Sequence, residues 1–359
     1  MKAAHDTSLD TFLASVRDYA DRVLRPAALT TDRDGVPAER VDELRALGLL
    51  NHLSPREFGG LALDRDTDRR VHETIAGACF NTWLVWAQHA PLAGRIAALR
   101  AQGATVSPLA ARILRGELLL GAGVSDVRRF PDHYVAARRV ADGWIFDGTL
   151  SWVSGWGLNS ALTLAAVEPD TETVVTALVP IDEHIHSPGP LELGAVSGSR
   201  TARVQLDAVF VPDENVLSTQ SLEQARFVDV GTAGDARAHH FGLAETILTE
   251  LERATVPLAA EVAATWRPRV AEIRSTAYAL ADEALAAGGG PHRLDERLAT
   301  KAASGEALSA ISRALLIARS GRGLSRDDTA QLHARSVLFV LVQGQTADVR
   351  RAQLAALAR

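Results

Sequence analysis

Cysteine, lysine and long apolar runs are almost missing from this chain of 359 residues. Its one cysteine, Cys79, excludes an intrachain disulfide and fits a reducing compartment. Cys79 lies in an apolar helical context, where a buried structural thiol is expected rather than a nucleophile. Lys2 and Lys301 are the only lysines, so positive charge is carried by arginine, a bias of coding rather than of chemistry. No apolar run reaches the roughly 18 residues of a membrane span, and the amino terminus is polar. A net charge of −6 gives no electrostatic case for nucleic acid or an anionic membrane. A cytoplasmic protein is expected.

What is present is apolar residue in quantity, 47% of the chain, enough to bury more than one core and to predict two or three domains. Residues 8–118 carry a helical period. Leu9, Phe12, Leu13, Val16, Tyr19, Ala20 and Val23 form an amphipathic first helix that Pro26 is expected to stop. A second helix is predicted over Val41–Leu50, two more over Asp68–Leu99 with a break near Ala78 or Ala90-Pro91, and a short one over Pro108–Arg115. From Leu118 the period becomes two. Strands are expected over 118–124, 134–140, 144–147, 150–153, 161–167, 173–179 and 202–210, mostly antiparallel, with turns at Asp142-Gly143 and Asp147-Gly148. After Ser218 the helical period returns, with breaks at Pro257, Pro268 and Gly288-Gly289-Gly290-Pro291. Helices, then strands, then helices indicate segregated layers, an α+β fold rather than βαβ alternation.

The chain turns on Asp142 to Gly155. Trp144 and Phe146 share one face of a strand, and alternation over Leu150–Ser154 places Trp152 beside Ser154. An indole next to a hydroxyl suits the face and edge of a planar heteroaromatic cofactor; a core tryptophan with a serine at the strand end is the other reading. Around it, Gly143-Trp144, Gly148, Trp152-Val153-Ser154 and Gly157 precede the apolar run Ser160–Val167. This pattern resembles the middle domain of the acyl-CoA dehydrogenase family. Leu44–Leu50 with Ser54–Gly60 resembles that family's amino-terminal helix and loop, and Gly198–Leu217 its exit from the middle domain. Three ordered matches are specific where one would not be.

The resemblance implies an amino-terminal helical domain over 1–117, a middle antiparallel, barrel-like β domain over 118–221 and a carboxyl-terminal four-helix bundle over 222–359. It also implies FAD held between the last two. Trp152 and Ser154 fall where the family packs its flavin, Ser125 where a threonine bonds the flavin edge, and Gly321 and Gly323 resemble a worn turn near the adenosine half. Family members remove a proton beside a thioester carbonyl with a glutamate while the flavin takes hydride from the next carbon. Here the departures are substantial. Val127–Pro131 replaces a longer glycine-rich segment, and no "R-x-x-F-G" stretch lies between Leu251 and Arg269. Aligning Arg335 and Thr346 places Gly344 at the glutamate's station, with Gln343 beside it. The other station falls near Thr232, where Asp235 is the closest carboxylate.

No side chain at either station is an orthodox base, which leaves His240 and Asp235 as candidates. The pair His239-His240 reads otherwise as one surface and one core histidine. His184 and His186 lack further ligands at metal spacing, so no metal is expected. Three functions remain open. One is an FAD-dependent oxidoreductase acting on an acyl thioester, of coenzyme A or a carrier protein, or on a related small molecule. The second is a flavin-dependent monooxygenase on the same fold. The third is a non-catalytic partner subunit or flavin-free ligand binder. A homodimer or homotetramer is implied by resemblance, with a heteromer containing a second family member as the alternative.

Overall fold

A computed structural model describes residues 2–358, with side chains from Leu9 onward. Helix α1 (Lys2–Tyr19) does not end at Pro26. A π-turn over Ala20–Leu24 carries it into α2 (Arg25–Asp34), where Pro26 occupies a first-turn position. A proline there forfeits no helical hydrogen bond, so it starts a segment instead of stopping one. Next come α3 (Glu39–Ala46), α4 (Arg65–Ala78), α5 (Phe80–Ala101) and α6 (Pro108–Leu114). The α4–α5 break falls at Cys79, in extended conformation, and Pro91 lies inside α5. Asp64 and Ser107 cap α4 and α6 by accepting hydrogen bonds from the Thr67 and Ala110 amides.

The strands are β1 (Leu120–Gly123), β2 (Ala136–Val140), β3 (Gly143–Val153), β4 (Ala161–Glu168), β5 (Thr173–Pro180), β6 (Ile185–His186), β7 (Ala202–Pro212) and β8 (Val216–Ser221). They form one sheet in the order β6-β7-β3-β2-β4-β5-β8, with β1 parallel beside β4. Asp142-Gly143 is the β2–β3 turn, as expected. Asp147-Gly148 is not a turn: β3 runs through it, and the register against β7 shifts there. Gly148 has φ +136, so the chain takes a bulge instead of reversing. Phe146, Leu150, Leu164, Val175 and Leu206 share one core, which means that the sheet folds over on itself.

The chain returns to helix with α7 (Leu222–Ala233), α8 (Ala238–Glu252), α9 (Pro257–Ala286), α10 (Leu294–Arg319), α11 (Thr329–Val342) and α12 (Ala347–Leu357). Pro257 opens α9, whereas Pro268 sits within it and does not break it. The amino-terminal and carboxyl-terminal helices share one core containing Trp86, Ile75, Phe241, Leu248 and Leu308. Two glycines let α4 and α8 meet at backbone distance: a Cβ on Gly77 would lie 2.6 Å from the Gly242 carbonyl oxygen. No helix among the described residues is long and apolar enough to cross a membrane.

Candidate functional site

Helices α4 and α5, α7 and α8, the end of α9 and the end of α11 enclose a cavity of about 460 Å³. That volume falls within the roughly 300–1,000 Å³ of small-molecule sites. One wall is a continuous run of aromatic and polar side chains. The Trp83 indole N–H donates to His72 Nδ1 at 3.0 Å, and His72 Nε2 faces Asp68 at 3.7 Å. On the other side the indole stacks on His239, ring centres 4.1 Å apart and planes 23° from parallel. His239 Nε2 lies 2.6 Å from Gln343 Oε1, which it meets as donor. Burial brings His72 down to about 4. Burial, aided by the charges of His240 and Arg237, holds His239 well below the usual histidine value.

The turn that supplies Gln343 is fixed from both sides. Arg335 of α11 pairs with the buried Asp32 at 2.6 Å, and Thr346 caps α12 through the Val349 amide. Gly344 between them has φ +65, a conformation that disfavours any residue with a Cβ, so Gln343 is the residue that presents a side chain. Beneath the turn, the Lys301 ammonium donates to the carbonyls of Ala233 at 2.6 Å and Gln343 at 3.3 Å. Burial, with the Arg237 charge adding to it, lowers Lys301 to about 7.

Asp235 lines the cavity but is bound to the buried Arg297 guanidinium at 2.7 Å. The other lining carboxylate, Asp68, is bonded to His52 at 2.9 Å. His239 and His240 are both buried, which corrects the expectation of one surface member. His239 reaches the cavity; His240 lines a separate small crevice and bonds Ser304 at 2.9 Å. Sequence reasoning missed Trp83, His72 and Arg237, because only the packing of α4, α5 and α8 brings them together.

A second cavity, of about 380 Å³, lies beside Trp152 and is also lined by Arg129, His133, Thr149, Ser151 and Arg203. Trp152 is 49% exposed, whereas Ser154 is buried with its hydroxyl 2.8 Å from Thr201 Oγ1. A second irregularity in β3, between Leu150 and Val153, separates Trp152 from the buried Leu150, and β3 ends at Val153, so Ser154 lies in the following turn and off the face of Trp152. Ser151 takes the neighbouring polar place: its amide donates to Asp126, and its hydroxyl contacts Arg129 at 2.9 Å and His133 at 3.1 Å. Ser125 opens the short turn Ser125–Arg129 that holds Asp126 and Arg129. Gly321 and Gly323 lie after α10 and line neither cavity; the space around Gly321 is open and that around Gly323 is closed by Leu316 and Arg319.

An open indole bordered by guanidinium and hydroxyl donors fits a planar ring with acceptor atoms on its edge and a phosphate nearby. Of the five residues that the resemblance assigned to flavin, Trp152 is the one that lines this cavity. The Ser125–Arg129 turn also links the two cavities. Arg129 lines the smaller, and Arg128 makes a two-point pair with Asp229 of α7 at 2.6 and 2.7 Å, next to Val228 and Gly231 of the larger.

A helical lobe, a folded-over sheet and a helical bundle, with one cavity among the helices and another beside the sheet, define an α+β protein with room for small molecules. A family model described as "Acyl-CoA dehydrogenase, N-terminal domain" matches residues 7–103. The human mitochondrial short-chain specific acyl-CoA dehydrogenase is 24% identical over 377 residues, spanning 96% of this chain and 88% of that protein. Butyryl-CoA dehydrogenase from Megasphaera elsdenii superposes with TM-score 0.79 at 17% identity, each chain covered to 98%. The FMN-bound structure of TdsC from Paenibacillus sp. A11-2 also gives 0.79, at 18% identity and 97% coverage of each chain. The matched amino-terminal domain, the relatives that span nearly the whole chain and the shared fold together support membership of the acyl-CoA dehydrogenase family.

Proposed function

We propose that the protein is a flavin-dependent oxidoreductase acting on an acyl thioester, with the His239–Gln343 pair standing where relatives carry a carboxylate. The observation that carries this reading is the larger cavity, which has Gln343 and His239 in its wall and no carboxylate free to act as base. Bound at the Trp152 cavity, a flavin would supply a two-electron acceptor for hydride. Trp152 would cover the ring face, while Ser151 and Arg129 would meet its acceptor edge or phosphate. FAD is the form the family resemblance favours.

The chain's own part is proton removal. Gln343 engages the Nε2–H of His239, which leaves Nδ1 with the lone pair. Burial, with the charges of His240 and Arg237 beside it, holds this imidazole well below the usual histidine value. It is neutral at pH 7 and can accept a proton from the carbon next to a thioester carbonyl.

A second reading, flavin-dependent oxygenation, is favoured by the same shortage of a free carboxylate and by the likeness to TdsC. Anaerobic addition of butyryl-CoA to the flavin-loaded protein separates the two. Bleaching of the flavin absorbance is expected. An unreduced flavin with every acyl-CoA tried, together with oxygen uptake that requires an external flavin reductant, would replace dehydrogenation with oxygenation.

A further inference from the structure

Among the described residues, the larger cavity holds one arginine without a counter-charge. Its lining includes Arg65, Arg69, Arg237 and Arg297. Arg65 and Arg69 share Asp282 at 2.8 Å each, and Arg297 is paired with Asp235 at 2.7 Å. Arg237 has no ion pair among the described residues; its guanidinium donates to the Thr232 carbonyl at 2.9 Å. Two carboxylates are near enough to act on it, Asp235 and Asp229, and each already holds another arginine, Arg297 at 2.7 Å and Arg128 at 2.6 Å.

Position strengthens the case. Arg237 is the N-cap residue of α8, two residues before His239, and its charge acts on His72, His239, His240 and Lys301. Arg237, His72 and His239 share the cavity wall with Gln343, and both lining carboxylates are already bound, Asp68 to His52 and Asp235 to Arg297. The guanidinium stays open to the cavity while protein surrounds it, and a forked donor of this kind matches a carboxylate two bonds at a time.

We propose that the cavity selects acyl thioesters whose acyl chain ends in a carboxylate, held by Arg237. The proposal rests on the acyl-thioester reading above and narrows it to a substrate class. An anion there could instead be a phosphate of coenzyme A, and the two sources differ in what they predict for uncharged acyl chains.

Calorimetric titration of the flavin-loaded protein with succinyl-, glutaryl- and adipyl-CoA, against butyryl-CoA and free coenzyme A, tests it. The best carboxyacyl ligand is expected to bind about tenfold or more tighter than butyryl-CoA, as a charge-assisted pair allows. Arg237→Met should abolish that advantage and leave butyryl-CoA within about twofold of wild type, and Arg237→Lys should restore part of it. Unchanged circular dichroism of both variants controls for folding. Equal affinity of wild type for charged and uncharged chains would overturn the proposal and leave the acyl-thioester reading standing. Equal weakening of every ligand, free coenzyme A included, would overturn it in favour of a phosphate contact. Failure to bind any acyl-CoA would remove the acyl-thioester reading and the proposal with it.

Discussion

Trp152 departs from the usual economy of a sheet, where a large aromatic side chain is covered and its neighbours on the other face are polar. Half of its surface is open because a bulge between Leu150 and Val153 turns it out of the core. Replacing it with alanine removes no core packing, so the fold should persist, while flavin affinity should fall by about 1–2 kcal/mol through loss of the stacking surface. Equilibrium dialysis of the folded variant against flavin measures this; unchanged affinity would take the ring away from Trp152. At this scale the sequence was only partly legible. Trp152 was identifiable from its motif, but the opposite fates of Trp152 and Ser154 depend on an irregular pairing and on where β3 ends, neither of which alternation can foresee. His239 and His240 show the same limit. Which of two adjacent histidines meets the cavity depends on the rotation of α8 against α4, not on local pattern.

Elements were easier to read where a periodic run is long and its ends are marked. The Ser107-Pro108 start of α6 and the Asp142-Gly143 turn are stated by their own residues. Pro268 misled because it lies inside a helix whose packing outweighs one missing amide hydrogen bond, and Pro26 because a proline in a first turn gives up none. Strand β8 escaped notice because Val216–Ser221 is half polar and pairs only along one edge. The α4–α8 contact is where an element-scale change should cost most. A Cβ on Gly242 would stand 2.1 Å from the Glu73 carbonyl oxygen, so Gly242→Ala must push the two helices apart. A loss of about 1–3 kcal/mol in urea unfolding is expected, and an unaltered midpoint would contradict that contact.

Glu250 ties three helices, accepting from His333 at 3.0 Å, Thr329 at 2.6 Å and Arg319 at 3.0 Å. Burial alone would raise its pKa, but the hydrogen bond and charge of His333, with Thr329 and Arg319, bring it down to about 2. A carboxylate lowered on folding adds stability above its unfolded pKa of roughly 4.3 and loses it as pH falls through the folded value. Glu250→Gln should therefore cost on the order of 3 kcal/mol at neutral pH, with the gap to wild type closing between about pH 4.5 and 2. A gap that stays constant across that range would show that the ionised form is not what stabilises the cluster.

Over the whole molecule, helices–strands–helices segregation was legible because the period of apolar residues changes twice, near Leu118 and Ser218. Cavities were not, since each is built from elements far apart in sequence. The carboxyl-terminal helices also leave large apolar side chains in water, Leu285, Ile317, Leu324, Leu338 and Val342 among them. Exposed apolar side chains in this number are what a self-associating surface would use. Sedimentation should find a dimer or tetramer, and a monomer at all concentrations would contradict it.

The absorption spectrum of the purified protein, before and after incubation with FAD and with FMN, bears on the central claim most directly. The account predicts a bound, yellow flavin that survives gel filtration and is lost more readily from Trp152→Ala. A colourless protein that retains neither flavin would contradict it.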